Sequence, residues 1–206
     1  MSNHKDAVRR GWAKFLNREE LRDNLLAASL FLAAFEMLKT SVIEPIRNFL
    51  CFEFKDGKRV VSEDYRVNCL KLDNNPFIAS LLWLKQMVVI NDSDLTLANN
   101  IRRHRNELAH ELPKFLATSN IDINIRLIIE ICQLITKIDR WWIREVEMAA
   151  NQDFDGVVVA DAQITSGNML FMQMLLQTAV GEDSDELWKM YIKVFGEQNE
   201  EDPVST

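Results

Sequence analysis

Residues 121–149 read IDINIRLIIEICQLITKIDRWWIREVEMA and carry the clearest helical pattern in the chain. Large apolar residues recur in this stretch at alternating spacings of three and four, namely Ile128, Ile131, Ile135, Ile138 and Trp142. Such spacing lines up side chains on one stripe of an α-helix, whereas a half-buried strand alternates every second residue. The stretch therefore predicts a long helix that faces another helix, either in the same chain or in a partner.

Most of the remaining sequence also has helical periodicity and helix-boundary residues. The predicted helices span residues 5–16, 20–43, 77–90, 95–112, 169–180 and 185–195. Pro45 predicts a kink or a restart of the second helix before it runs on to about Phe49, and Pro113 predicts the end of the fourth. With only six glycines and four prolines in 206 residues, the composition favours helices over a many-stranded sheet. We therefore expect an all-α fold.

One region departs from the helical pattern. Cys51 to Phe54, a turn around Asp56-Gly57, and Arg59 to Val61 resemble two short strands joined by a tight turn. The sequence predicts a small β-hairpin around residues 51–62, within an insertion at residues 51–75. A short strand is also possible at residues 157–159, in the loop after residue 151.

The length is consistent with one core and an appendage rather than two enzymatic domains. We expect a helical bundle at residues 1–150, a C-terminal helical extension packed on it at residues 151–196, and a disordered acidic tail at residues 197–206. No internal repeat is evident.

Charge and cysteine content narrow the function classes. A net charge of −7 and a pI near 5.1 argue against a protein that coats nucleic acid through a broad basic surface, although a local basic patch is allowed. Cys51, Cys69 and Cys132 are widely spaced and predict free thiols in a reducing compartment. The beginning of the sequence does not resemble a signal peptide, and the apolar run Leu25 to Phe35 is short for a bilayer span. These features predict a soluble, cytoplasmic protein without membrane contact.

Residues 101–110, Ile-Arg-Arg-His-Arg-Asn-Glu-Leu-Ala-His, form a local concentration of basic groups. Three of the 24 Lys and Arg residues and two of the three histidines lie within it. Histidine exchanges protons near neutral pH, and arginine presents a charged fork that matches phosphate oxygens. Together these residue types suit phosphodiester chemistry.

Helical geometry predicts how this segment is presented. At about 100° per residue, Asn106 and His110 are about 40° apart, whereas Arg105 and His110 are about 140° apart. If Ile101 and Leu108 face the core, Arg105 lies at the edge of the apolar stripe and His110 on the opposite side. Arg105 should then be partly buried, and His110 should face a cleft or a second subunit.

In these residues the chain resembles the HEPN family, whose motif is an Arg, then a polar residue, and a His after four to six intervening residues. The chain matches this motif at Arg105, Asn106 and His110, with four residues between the Arg and the His. The sequence of residues 101–110 resembles the Abi-like and toxin-like branches of the family. Arg103 to His110 fits the looser rule, but Asn106 makes Arg105 the better match. About ten residues around the motif resemble the family specifically. Over residues 20–150 the resemblance is limited to the general succession of helices.

The resemblance implies a compact helical bundle, often a homodimer whose two motifs face one cleft, and a metal-independent ribonuclease without a cofactor. Toxin–antitoxin or phage-defence systems are the implied setting, with RNA as substrate and an antitoxin or defence protein as a further partner. Arg105, Asn106 and His110 would be catalytic, and Arg102, Arg103 and His104 would contact substrate. The alternative is a non-catalytic module of the same fold that binds a partner protein or nucleic acid through the same cleft.

Glu36 is the remaining candidate. It lies on the most apolar predicted helix, where an unpaired carboxylate is costly, so a partner is expected. It could brace Arg105 or Arg103 in a supporting role, although a pair with Lys39 or simple exposure is the plainer interpretation. The sequence shows no glycine-rich phosphate loop and no carboxylate pair spaced for a metal, so we predict neither metal nor cofactor.

Overall fold

The structure, a computed structural model, describes residues 2–51, 54–55, 58–118 and 121–180. Seven α-helices lie in these ranges and account for most of them, so the predicted all-α class is confirmed. Their bounds are α1 Ser2–Leu16, α2 Arg18–Leu50, α3 Glu63–Asn68, α4 Pro76–Gln86, α5 Asp92–Ala117, α6 Arg126–Trp142 and α7 Gly167–Val180. The predicted helix at residues 185–195 and the predicted tail at residues 197–206 lie outside the described residues.

Helix α2 is the centre of the bundle. It contacts α1, α3, α4, α5, α6 and α7. Its buried residues recur every three or four positions, which places them on one face: Ala28, Phe31, Ala34, Phe35, Leu38, Ser41, Val42 and Ile46. Asn17 caps its first turn by accepting a hydrogen bond from the Glu20 N–H. Pro45 lies inside the helix, so the predicted restart at this residue is wrong.

The stripe on α6 faces the core as predicted. Ile128, Ile131, Ile135, Ile138 and Trp142 are all buried, and α6 packs along α2. The predicted helix was too long at its start, because residues 121–124 have no helical hydrogen bonding. After Trp142 the backbone widens into a π-helical turn at Ile143–Met148.

Helix α5 begins with a capping box, in which Asn91 and Asp94 bind each other's backbone N–H groups. The predicted end at Pro113 lies close to a break in the structure, because the regular helix is interrupted at Glu111 and a further helical segment runs on to Ala117. Proline cannot donate a helical hydrogen bond and its ring collides with the preceding turn. Here the strain appears as a kink at Glu111, whose φ of −124° and ψ of 24° are not helical.

The predicted insertion at residues 51–75 is attached to the bundle by buried residues. Strands β1 Phe54–Lys55 and β2 Lys58–Arg59 pair antiparallel, but residues 52–53 and 56–57 are outside the described part, so the full hairpin stays a prediction. Tyr65 and Cys69 are buried beside Cys51, which ties the segment to the bundle. All three cysteines are free, as expected. Residues 157–159 form no strand.

Among the described residues, α2 is long and apolar enough by length and composition to cross a membrane, with a mean hydropathy of 1.6 in its most apolar window. A core helix of a soluble bundle has the same properties, and α2 packs against six other helices. The prediction of a soluble, cytoplasmic protein stays a prediction.

Candidate active site

Helix α5 presents the motif with its two faces in different environments. Ile101 and Leu108 are fully buried, which fixes the rotation of the helix against α2. Asn106 and His110 are exposed on the outer face of α5. The Arg105 side chain lies at the edge between the buried and the outer face and is 34% exposed. The predicted burial of Arg105 and outward position of His110 match this arrangement.

Three contacts hold the Arg105 guanidinium. Its Nη2 donates to Glu36 Oε1 at 3.2 Å, and its Nη1 donates to Asn106 Oδ1 at 3.4 Å. The guanidinium carbon lies 5.4 Å from the centre of the Phe35 ring, a cation–π distance. Because Phe35 is part of the core, the charged group is oriented by α2 as well as by α5. The fork is therefore fixed before any ligand arrives.

Glu36 combines the two interpretations that the sequence left open. Its Oε1 pairs with Arg105 and its Oε2 pairs with Lys39 at 3.1 Å. The carboxylate is half exposed, so the pairs contribute little to stability, and their effect is mainly on the orientation of Arg105. Arg103, the other candidate partner, donates instead to Asn100 Oδ1 at 3.3 Å.

His110 lies one helical turn after Asn106 and immediately before the kink at Glu111. Within the described residues, no hydrogen bond joins its ring to Arg105, Asn106 or any other group. The imidazole is therefore accessible to a ligand or a second chain. One chain does not bring Arg105 and His110 into contact, in agreement with their calculated angular separation.

The position of His104, which was predicted to contact substrate, shows instead a packing role between helices. Its ring is half buried between Phe31 and Phe115, edge-on to both, at centroid distances of 4.9 Å and 5.7 Å. Its Nε2 accepts a hydrogen bond from the Asn124 N–H. Burial lowers its pKa, and the negative charge of Glu107 acts in the opposite direction. His104 is thus a packing residue that joins α5 to the segment before α6.

Arg102 and Arg103 add positive charge beside the motif. Arg102 is half buried, and its Nε is a buried donor without a partner in the described part of the chain. Arg103 is exposed. Both guanidinium groups lie on the same two turns of α5 as Arg105, so this segment is basic in the folded protein as well as in the sequence.

Sequence reasoning missed a buried polar cluster on the other side of α2. The Asp139 carboxylate is 6% exposed and accepts hydrogen bonds from Ser166 Oγ, from Asn168 Nδ2 at 3.2 Å and from Ser41. Burial raises the pKa of Asp139, and these three hydrogen bonds partly offset the effect. A signal was present, because Asp139 lies four residues after Ile135 and three before Trp142, on the apolar stripe.

Within the described residues, no group of three or more His, Cys, Asp or Glu side chains is placed to hold a metal ion. No protein-family model matches the sequence, and no curated protein or solved structure matches it.

Proposed function

We propose that the protein is a metal-independent endoribonuclease of the HEPN type that acts in the cytoplasm as a toxin or phage-defence effector. One observation carries the proposal: Arg105 is held on Phe35 and Glu36 with Asn106 bound to it, while His110 is free to reach a ligand one turn away. The helical bundle around the motif is compatible with a HEPN-like fold, and the resemblance of residues 101–110 supplies the reaction class.

The residue types define a chemical sequence. His110 accepts the proton of a ribose 2′-hydroxyl, and the 2′-oxygen attacks the adjacent phosphorus. The new bond to the 2′-oxygen forms as the bond to the 5′-oxygen breaks; the leaving oxygen takes up a proton from water, and the protonated His110 returns its proton to the solvent. The products are a cyclic phosphate end and a 5′-hydroxyl end. Arg105 stabilises the charge on the phosphorane-like transition state, and Asn106 orients the guanidinium.

The protein acts as a two-fold homodimer in this proposal. Arg105 is anchored to α2, and His110 on the far side of α5 does not reach it within one chain. Two copies that place their α5 ends face to face would let Arg105 of one work with His110 of the other. An antitoxin or another defence-system protein that covers this cleft would control the activity.

The primary test is cleavage of RNA by the purified protein in the presence of EDTA. We expect cleavage by the wild type and a loss of at least about 100-fold in His110→Gln, because glutamine cannot transfer a proton. Since His110 is exposed, the variant should unfold at the same urea concentration as the wild type. Added imidazole should restore part of the activity. Full activity in His110→Gln would remove the catalytic assignment.

The alternative remains a non-catalytic binding module of the same fold. The ion pair with Glu36 leaves Arg105 partly neutralised, which is compatible with binding as well as with catalysis. RNA binding by the wild type without any cleavage would favour this alternative.

A further inference from the structure

Helix α1 lies against the far end of the motif helix. The backbones meet closely at Gly11, where an added Cβ atom would lie only 2.2 Å from the Ala117 carbonyl oxygen. Lys14 fixes the same junction, because its buried Nζ donates to the Ile121 carbonyl at 2.8 Å and to Asp122 Oδ1 at 2.7 Å. Helix α1 is therefore fixed against the end of α5 that follows the kink at Glu111.

An open apolar groove of about 550 Å³ runs beside this junction. Val8, Trp12 and Phe15 of α1 form one wall, and Leu112, Pro113 and Leu116 of α5 form the other. Trp12 is 59% exposed, and its ring meets Phe15 edge-on at 6.0 Å. Leu112 is two residues after His110, so the α5 wall starts within about 7 Å of it along the chain.

The charge of α1 indicates what the groove binds. The helix has three exposed basic residues, Lys5, Arg9 and Arg10, besides the buried Lys14, against one acidic residue, Asp6, in a protein of net charge −7. At about 100° per residue, Lys5 and Arg9 lie within about 60° of Trp12, at the outer rim of the groove, and both are exposed. Exposed cations beside an exposed aromatic ring are the combination that binds single-stranded nucleic acid.

We propose that this groove is a subsite for single-stranded RNA, in which a base flanking the cut site stacks on Trp12 while the neighbouring phosphates meet Arg9 and Lys5. The inference rests on the proposed function, because it identifies the substrate as an unpaired strand. It also assigns α1 a direct role: the strand leaves the Arg105–His110 region past the kink at Glu111 and enters the groove. Base pairing would block the stacking, so duplex RNA should be a poor ligand.

The test is a binding measurement that does not depend on cleavage. Fluorescently labelled RNA of about ten nucleotides is titrated with His110→Gln protein at fixed salt. The same titration is repeated with the double variant that carries both His110→Gln and Trp12→Leu. Leucine keeps the groove apolar but removes the stacking surface, so the Kd should rise about 10-fold. Trp12→Phe should weaken binding less. Because Trp12 is mostly exposed, urea unfolding should be unchanged in both variants.

Two comparisons isolate stacking and charge. An RNA of the same length with abasic sugars keeps the phosphates, so Trp12→Leu should not change its Kd. Arg9→Ala should weaken binding of both RNAs and reduce the dependence of log Kd on log salt. Lys71→Ala removes one exposed positive charge outside the groove and is the matched control, with binding like that of the parent.

The outcomes separate this subsite from the proposed enzymatic function. Equal binding of the base-containing RNA by the parent and Trp12→Leu would overturn the subsite, even if the wild type cleaves RNA. Trp12-dependent binding without cleavage by the wild type would support the subsite and remove the ribonuclease. Binding to phosphatidylserine-containing vesicles, lost in Trp12→Leu and unmatched by any binding of RNA, would overturn the subsite in favour of a membrane contact.

Discussion

Two polar clusters join helices of the bundle, one around Asp139 and one around Arg105. In the Asp139 cluster the charged group is buried, and Ser41, Ser166 and Asn168 all donate to it. In the Arg105 cluster the charged group is one-third exposed and has one acid, one amide and one aromatic ring around it. The carboxylate of the first cluster is buried, although Ser166 and Asn168 beside it line an open pocket, and the guanidinium of the second cluster faces solvent.

The difference shows how a structural cluster can be told from a candidate site. Asp139 attaches α7 to α2 and α6, and its neighbours use their hydrogen-bonding capacity on one another. Arg105 is oriented by its neighbours without being enclosed by them, so the guanidinium can still bind an anion. Substitutions at the two centres should therefore affect different properties.

The largest effect is expected at Arg105. Arg105→Ala removes the charge proposed to stabilise the transition state, and cleavage should fall about 100-fold or more. Arg105→Lys keeps the charge but loses the fork that reaches Glu36 and Asn106 together, so its activity should lie between. Initial rates on one RNA substrate measure both. Arg103→Ala is the matched control, and an equal loss there would mean that the segment acts only through its total charge.

Mixing variants sharpens the same result. If the site forms between two copies, Arg105→Ala and His110→Gln proteins are each inactive alone, but a mixed dimer contains one intact pair. Mixing should restore part of the activity in proportion to the mixed dimers. No recovery after exchange of subunits, verified by co-purification of an untagged variant with a tagged one, would contradict the shared site.

A smaller effect, on stability, is expected at Asp139. Asp139→Asn exchanges one acceptor oxygen for a donor group that faces three other donors, which should cost about 1–3 kcal/mol. The free energy of unfolding from urea titration measures this cost. Cleavage should be unchanged at temperatures where the variant is folded. A loss of cleavage without a loss of stability would place Asp139 in the site instead.

The smallest effect concerns pH. Burial lowers the pKa of His104 in the folded state below its ordinary value of 6.5, so as pH falls through this range the unfolded chain binds more protons than the folded chain. Stability is therefore fully present above that value and is lost as pH falls from it through the folded pKa. The pKa of Asp139 is shifted in the opposite direction: it is raised above the ordinary value of 3.8, so it contributes stability below that value which is lost as pH rises through the folded pKa.

The contribution of His104 to the pH dependence of stability can be measured separately, because a variant can remove its imidazole and leave Asp139 in place. Urea midpoints at about pH 7.5 and about pH 5.5 compare the wild type with His104→Phe, which keeps a ring between Phe31 and Phe115. The variant should lose less stability between the two conditions. An unchanged pH dependence would mean that another group controls acid sensitivity in this range.

The sequence predicted local features well where the signal was periodic or a helix cap. The stripe on α6 was recognisable from neighbouring residues, and α4 starts at Pro76, one residue before its predicted start. The helix ends were less predictable. The interruption that Pro113 causes lies two residues earlier, at Glu111, and helical structure resumes after it as far as Ala117.

Contacts between distant segments could not be predicted from local patterns. Nothing near Lys14 in the sequence indicates that it pairs with the segment after α5. The half-buried position of His104 depends on Phe31, which is 73 residues earlier, and on Phe115 in the helix end beyond the kink. By contrast, the orientation of Arg105 followed from Ile101 and Leu108 on its own helix, which is why that part of the site was predicted.

The close approach of Gly11 to Ala117 has a consequence for redesign. Because backbone atoms meet there, the spacing between α1 and α5 is set by the main chain and not by the side chains that line the groove. Its walls can therefore be exchanged one residue at a time without changing their separation. Variant libraries at positions 8, 12, 15 and 116 should change which nucleotide the groove prefers as long as Gly11 is kept. Gly11→Ala should weaken RNA binding by every library member to a similar extent.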